Sequence, residues 1–205
     1  MRSKEEIYLT LADFFKFPTD ELYNELTNGL IEARLQELFQ LAGFSYPAGD
    51  LTKGFTSYSK MKESYVQCFL GVNAQYASPI ESVYKVWTTD KSASMAMANE
   101  KGYIFGDAAL HMRHLFEQFA LEIPKEYSSM PDHLTLQLEF LAFLIERNLD
   151  KQVYQFIVDH LDWLVDFKKE LSSIANSSFY LVITDLVISA VEQELTFLEK
   201  ELTVK

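Results

Sequence analysis

Asp132 and His133 are the neighbouring residues whose chemistry is hardest to attribute to structure alone. They follow Pro131 and precede a strongly apolar stretch. A carboxylate and an imidazole at the rigid start of a helix could accept hydrogen bonds from a guanidinium, whose planar donors suit a carboxylate. The pair could equally serve the helix itself, with Asp132 facing the positive end of the helix dipole. The residues alone leave both interpretations open.

The other reactive side chains favour structural roles. His111 and His114 could place two nitrogens on one helix face, but no third ligand is patterned nearby, so we expect two surface histidines rather than a zinc site. The carboxylates of Glu192 and Glu194 indicate a solvated face, because nothing near them suggests the buried pocket that a catalytic acid needs. Cys68 has no neighbouring histidine or cation in sequence, which is typical of a buried, unreactive thiol.

Composition and charge also disfavour several classes of function. The chain has 30 acidic and 18 basic residues, a formal net charge of -12, which repels nucleic acid and would attract a basic peptide. Its seven glycines are isolated, so no phosphate-binding loop is present in the sequence. We therefore expect no catalytic residues, no metal and no cofactor.

The elements that would position these residues are helices, because apolar residues recur with helical spacing almost throughout. We expect an all-α fold of about eight to ten helices in one domain, residues 1–205, with no convincing strand. The predicted helices are one ending near Pro18, one capped by Thr19, and those at 30–42, 51–70, 107–121, 133–148, 153–169 and 178–202. The helix at 133–148 is apolar on nearly every side, which predicts a central, buried position.

Three further segments bear on function and location. Residues 72–83 form a long aromatic-containing loop and a candidate functional site, whereas 91–98 could be a separate helical turn or an early start of the next helix. Ser129 and Pro131 resemble a helix start, with Ser129 as the cap. The first residues lack a long apolar region, and the most apolar stretch, 179–191, is too short to span a membrane, so we expect a soluble cytoplasmic protein.

Four short segments are more specific together than any one of them is alone. The first is YVQCFLG at 65–71, and the second is SPIESVY at 78–84. The third is MPDHL at 130–134, followed by EFL at 139–141, and the fourth is HLDWL at 160–164. In this order they resemble the TorD/DmsD/NarJ family of cytoplasmic chaperones that mature molybdenum-containing redox enzymes, the TorD/DmsD branch most closely.

The resemblance spans about residues 5–200 and implies an all-helical chaperone rather than an enzyme. Members of this family bind the twin-arginine signal peptide, or another segment, of a partner subunit and delay its export until the molybdenum cofactor is inserted. Some members form domain-swapped dimers. The expected partner is therefore the signal peptide or precursor of a molybdenum-containing reductase of anaerobic respiration, with a swapped homodimer as an open alternative to a monomer.

The resemblance also implies a set of residues that shape the peptide groove. They are Tyr65, Phe69, Pro79, Glu81, Ser82, Tyr84, Asp132 and His133. We expect Asp132 to bind arginine, and Glu81 either to bind a cation or to pair with a lysine of the chain. Core packing is the favoured explanation for Tyr65 and Phe69, and loop shaping for Pro79 and Tyr84; His160 and Trp163 are expected in the core.

Two departures from the family pattern concern the groove. Met130 stands where an acidic residue is common, and Ile80 stands where an aromatic is common, so the identity of the client cannot be carried over. GTP binding has been suggested for members of the family, but no nucleotide motif supports it here. The alternative function is a helical dimerisation or scaffold protein without a peptide client.

Overall fold

The computed structural model describes residues 2–47, 49–51, 54–72 and 74–203. Across these residues the fold is all-helical, as predicted, and strand-like pairing is limited to an isolated antiparallel bridge between Ile80 and His133. The α-helices are α1 Arg2–Asp13, α2 Asp20–Thr27, α3 Leu30–Ala42, α4 Tyr58–Phe69, α5 Glu81–Tyr84, α6 Asp107–Gln118, α7 Leu134–Glu146, α8 Asp150–His160, α9 Leu164–Leu171 and α10 Ser178–Thr203. Ala48 and Asn73, which belong to predicted loops, and Thr52 and Lys53, which belong to the predicted helix at 51–70, lie outside the described residues.

Helix α7 occupies the centre of the fold, as its uniformly apolar sequence predicts. Ten of its thirteen residues are buried, and helices α1 and α8 pack against it. Helix α10 packs against α1, α8 and α9. A buried ion pair joins two of these helices, with Lys4 Nζ of α1 lying 2.9 Å from Glu194 Oε1 of α10. The solvated position expected for Glu194 is therefore wrong. The central position of α7 places its N-terminus, and the residues before it, inside the protein.

Local capping signals explain why the first helices begin and end where predicted. The Thr19 hydroxyl accepts a hydrogen bond from the Leu22 amide at 3.2 Å, which caps α2. Helix α3 ends at Gly43, whose backbone adopts φ = 73°. This left-handed conformation allows the Phe44 amide to donate to the Phe39 carbonyl at 2.8 Å.

Two predicted helix boundaries are wrong for reasons visible in the structure. The helix expected at 51–70 begins only at Tyr58, because the Ser57 hydroxyl accepts from the Lys60 amide at 3.3 Å and caps it there. The helix expected at 153–169 is instead α8 and α9. The Trp163 indole N–H donates to the carbonyl of His160 at 2.8 Å, at the end of α8.

The start of α7 also differs from the prediction. Ser129 is not its cap, because the helix begins at Leu134, with His133 at the N-cap position. The Leu134 amide donates to the Pro79 carbonyl at 2.8 Å as part of the isolated bridge, so tertiary pairing fixes this end. Residues 91–98 form turns rather than helix, and the segment between α5 and α6 is irregular.

We predict that Gly43→Ala lowers the free energy of unfolding by about 1 kcal/mol, because alanine is strained at positive φ. A methyl group at this position would meet no atom within 4 Å, so any loss reflects backbone strain alone. Urea denaturation measures the change. Gly43→Asn is the control and should lose less, since asparagine tolerates this conformation. Equal stability of wild type and the alanine variant would contradict the assignment.

Candidate functional site

The predicted functional loop is joined to the start of α7 by main-chain pairing. The Glu81 amide donates to the Asp132 carbonyl at 3.2 Å, and the Leu134 amide donates to the Pro79 carbonyl at 2.8 Å. Residues 79–84, hereafter the 79–84 segment, therefore run as extended backbone across the helix start and then turn into α5.

The Asp132 carboxylate is buried beneath this segment. Its Oδ2 accepts from the Ser82 amide at 2.7 Å and also from the Ser82 hydroxyl, while Ser82 Oγ accepts from the Gly106 amide at 3.3 Å. The N-cap of α5, Ile80, offers no side-chain acceptor, so Asp132 caps this short helix from another part of the chain. Burial raises the pKa of Asp132, although the hydrogen bonds from Ser82 oppose that shift.

One end of the 79–84 segment lines a cavity of about 540 Å³, hereafter the apolar cavity. Its lining residues include Phe17, Tyr65, Phe69, Leu70, Pro79, Ile80, Tyr127, Met130 and His133. Phe17 and Leu70 are each 53% exposed, so large apolar side chains remain accessible at this cavity. An exposed apolar surface of this kind is typical of a binding site.

The other end of the segment lines a second cavity of about 670 Å³, hereafter the acidic cavity. It is lined by five carboxylates and two lysines, together with the aromatic side chains of Tyr84 and Trp163. The carboxylates are those of Glu81, Asp107, Asp159, Asp162 and Asp166. The excess of negative charge makes this cavity suited to a cation.

Glu81 is fully buried and already holds partners within the chain. Its Oε1 lies 2.7 Å from Lys85 Nζ, its Oε2 lies 2.7 Å from His160 Nδ1, and the Gln137 amide also donates to Oε2. Although burial alone would lower it, the pKa of Lys85 is raised by Glu81 and Asp162. Of the two roles expected for Glu81, the structure shows the intrachain salt bridge.

A chain of hydrogen bonds leads from Glu81 to the protein surface. His160 is buried and its Nε2 lies 2.8 Å from Nδ1 of the exposed His111. When both rings are neutral and His160 Nδ1 donates to the carboxylate, His160 Nε2 accepts the proton on His111 Nδ1. This arrangement leaves Nε2 of His111 as an acceptor. Burial is the largest cause of the lowered pKa of His111, and it favours the neutral ring.

The eight predicted groove residues thus fall into three groups. Tyr65, Phe69, Pro79 and His133 line the apolar cavity, and Glu81 and Tyr84 line the acidic cavity. Ser82 lies within the 79–84 segment and Asp132 lies beneath it, with relative exposures of 1% and 0%. In this conformation the Asp132 carboxylate faces the protein interior, so direct contact with arginine stays a prediction.

Sequence reasoning missed most of the acidic cavity. His111 was expected to be a surface residue without a role, and the carboxylates around α8 and α9 were not singled out. A signal was available, because Asp159, Asp162 and Asp166 recur at spacings of three and four residues, which would place them on one face of the predicted helix at 153–169. In the structure Asp159 lies in α8, Asp162 lies in the break and Asp166 lies in α9, and all three line the same cavity. Trp163 and His160 are buried, as expected.

The sequence profile described as the nitrate reductase delta subunit family matches residues 31–173. This range includes all eight predicted groove residues. The chain belongs to this family. The resemblance predicted from the four short segments is thereby confirmed.

Two curated relatives agree with the family assignment. The chain is 24% identical to the chaperone protein TorD of Shewanella piezotolerans, over 98% of this chain and 95% of that protein. It is 29% identical to a protein of Haemophilus influenzae named as the Tat proofreading chaperone DmsD, over 64% of this chain and 58% of the relative. The first of these alignments spans nearly the whole length of both proteins.

A solved structure shares the fold. A protein from Archaeoglobus fulgidus, described as a redox enzyme maturation protein, superposes with a TM-score of 0.54 at 18% identity and covers 96% of this chain and 93% of its own. Among the helices of the described residues, none has the length and apolar character needed to cross a membrane.

We predict that Ser82→Ala and Asp132→Ala are each destabilising and that their effects are coupled by about 1–2 kcal/mol, because the buried hydrogen bond between the side chains has a charged acceptor. Urea denaturation of both single variants and the double variant measures this coupling. Ser92 and Asp90 provide a matched control, since the same hydroxyl–carboxylate bond occurs there at 2.7 Å on the exposed surface. The exposed pair should couple measurably less, and equal coupling would contradict a structural role for the buried one.

We also predict that His133 destabilises the protein in mild acid. Burial lowers the pKa of its imidazole from 6.5 to about 3. Between these two pH values the unfolded state binds a proton at His133 and the folded state does not. The stability is therefore full above the unfolded pKa and is lost as the pH falls from there towards the folded pKa. Between about pH 7.5 and about pH 5, the unfolding free energy of wild type should fall by about 2 kcal/mol more than that of His133→Asn. Parallel pH profiles would contradict a neutral buried ring.

Proposed function

We propose that the protein is a cytoplasmic chaperone, not an enzyme, that binds the twin-arginine leader of a molybdenum-containing oxidoreductase subunit before export. The observation that carries the proposal is that one rigid segment lines two adjoining cavities of different chemistry. A twin-arginine leader combines the same two chemistries, since it carries a pair of guanidinium groups next to an apolar stretch. Membership of the family and the names of the two chaperone relatives support this assignment.

The apolar cavity would hold the apolar stretch of the leader. Phe17 and Leu70 are accessible and would lose water-exposed apolar surface on binding, which favours association. The cavity adjoins the extended backbone at Ile80, and the neighbouring residue Glu81 lines the acidic cavity. Because extended chain advances about 3.3 Å per residue, a short segment of leader would suffice to reach both.

The acidic cavity would hold the arginines. Asp162 and Asp166 have side-chain exposures of 59% and 57%, so their carboxylates are available to a guanidinium, although each also contacts a lysine. When both histidine rings are neutral, Nε2 of the exposed His111 adds an uncharged acceptor to the same cavity. Planar guanidinium donors suit such a set of convergent acceptors better than a lysine ammonium does.

The roles of the eight groove residues follow from this division. Tyr65, Phe69, Pro79 and His133 would contact the apolar stretch. Asp132 and Ser82 would act indirectly, because their hydrogen bonds hold the 79–84 segment against the start of α7, where it forms a wall of both cavities. Glu81 and Tyr84 would form the wall of the acidic cavity.

Selectivity for one client would reside in the apolar cavity. Ile80 and Met130, the two residues that depart from the family pattern, both line it. Ile80 and Met130 make this part of the wall aliphatic and adaptable. Relative to the family pattern, Met130 also replaces an acidic residue at the edge of the cavity. The domain-swapped homodimer implied by the resemblance stays a prediction.

We predict that removing charge from the acidic cavity weakens leader binding selectively. The double variant Asp162→Asn/Asp166→Asn should raise the dissociation constant of a synthetic twin-arginine leader peptide about tenfold at low salt, because a charge-assisted contact contributes about 1.5–3 kcal/mol. Titration calorimetry measures it. The double-lysine analogue should bind wild type more weakly and respond less to the substitutions.

A charge-matched control separates this local effect from general attraction to an acidic protein. Glu192→Gln/Glu201→Gln makes the same change in net charge at two exposed positions of α10 that do not line either cavity. The control should leave the affinity within about twofold of wild type. Equal weakening by both double variants would contradict the acidic cavity as the arginine site.

A further inference from the structure

The imidazole of His133 is held in one orientation at the edge of the apolar cavity. It is 5% exposed, and its ring lies against Tyr127 with the centroids 5.0 Å apart. Its Nδ1 accepts a hydrogen bond from the Thr135 amide at 3.2 Å, which makes His133 the N-cap of α7. One ring nitrogen is therefore committed to the helix, and only Nε2 remains for other partners.

The commitment of Nδ1 determines where the proton lies. A neutral imidazole carries a proton on one nitrogen, and the nitrogen that accepts from an amide is the unprotonated one. The ring stays neutral at working pH because burial lowers its pKa to about 3. Nε2 of His133 is consequently an N–H donor, and it cannot accept from a guanidinium as the sequence suggested.

This donor has no partner within the described part of the chain. No hydrogen bond joins Nε2 of His133 to another described residue. The Nε2 atom is also not fully enclosed by the protein. It thus retains some access to open space, and the residue lines the apolar cavity. A nearly buried, unpaired donor at the wall of a cavity indicates that a ligand supplies the acceptor. The cavity wall is largely apolar, and the charged side chains of Lys16, Glu126 and Glu139 also line it.

We propose that Nε2–H of His133 donates a hydrogen bond to a main-chain carbonyl of the apolar stretch of the bound leader. This inference rests on the proposed function and specifies how the apolar cavity recognises its ligand. Apolar side chains carry no acceptor, so the main-chain carbonyls are the acceptors that such a stretch brings into the cavity.

The donor also constrains the conformation of the ligand. Within a helix the interior carbonyls accept from amides four residues further along the chain, so they are not free for His133. An extended stretch, or the end of a helix, leaves a carbonyl unpaired. His133 therefore favours a leader that is not helical where it crosses the apolar cavity.

Two substitutions at His133 separate the donor from the cap. In His133→Asn the side-chain oxygen replaces Nδ1, so the cap is retained. The shorter amide N–H does not reach the position of Nε2, so no donor remains there. In His133→Gln the longer side chain can place an amide N–H near the position of Nε2, whereas glutamine is a poor N-cap. If His133 is purely structural, the peptide affinity of each variant should fall in step with its thermal stability. If His133 is a donor to the peptide, one variant should lose affinity and the other should lose stability.

The experiment titrates the synthetic twin-arginine leader peptide into the full-length wild type and both variants, with thermal unfolding recorded in parallel. We expect His133→Asn to keep the unfolding midpoint near that of wild type and to weaken binding about tenfold. His133→Gln should show the reverse, with a lower midpoint and near wild-type affinity. Nitrogen NMR of the free protein at neutral pH should show a protonated Nε2 and an unprotonated Nδ1.

The outcomes distinguish this proposal from the proposed function. If the peptide binds wild type and His133→Asn equally well, or if Nδ1 carries the proton, the donor is overturned and the chaperone function stands. If affinity falls in proportion to stability in both variants, His133 is structural only, which also overturns the donor. If the peptide fails to bind wild type, the proposed function fails and the donor loses its ligand with it.

Discussion

The hydrogen bonds between the Asp132 carboxylate and Ser82 are the interaction on which the geometry of the site depends. They join residues fifty positions apart and bury a carboxylate that is fully enclosed. Through these hydrogen bonds the start of the central helix α7 fixes the position of the 79–84 segment, and that segment forms a wall of both cavities. Among the described residues only Oδ2 of Asp132 receives hydrogen bonds, both from Ser82, and the buried Oδ1 has none. Loss of the Ser82 contacts would leave the buried carboxylate without a donor, so the segment has little freedom to move away from Asp132.

His133 lines one cavity and His111 lines the other. Their free ring nitrogens differ in hydrogen-bonding character because the Nδ1 atoms have different partners. In His133 the Nδ1 atom accepts from a backbone amide, so the ring offers a donor. In His111 the Nδ1 atom lies 2.8 Å from Nε2 of His160, whose own Nδ1 faces the Glu81 carboxylate. When both rings are neutral, His111 Nδ1 donates and its Nε2 is an acceptor. Hydrogen bonds of the first nitrogen thus set the polarity of the second, and opposite polarities suit a peptide carbonyl and a guanidinium respectively.

Local signals made part of this structure predictable. Helix α3 was predicted with its correct ends because Gly43 can adopt positive φ, and the buried position of α7 followed from its uniformly apolar sequence. The break between α8 and α9 was missed, because the Trp163 indole N–H is held there by a distant residue as well as by a local one. It donates to Gln137 Oε1 of α7 at 3.3 Å and to the His160 carbonyl at 2.8 Å. The family motifs identified Asp132 and His133 but not the direction in which each faces, since that direction is set by Ser82 and Thr135.

The account makes one central claim, that a single segment anchored by Asp132 presents one cavity to an apolar stretch and another to arginine side chains. Photo-crosslinking of the full-length protein tests it most directly, with leader peptides that carry a photoreactive group either within the apolar stretch or beside the arginines. The account predicts crosslinks from the apolar stretch to residues 65–80 or 124–133, and from the arginines to residues 107–111 or 159–166. Crosslinks from both positions to the same segment, or to α3, would contradict it.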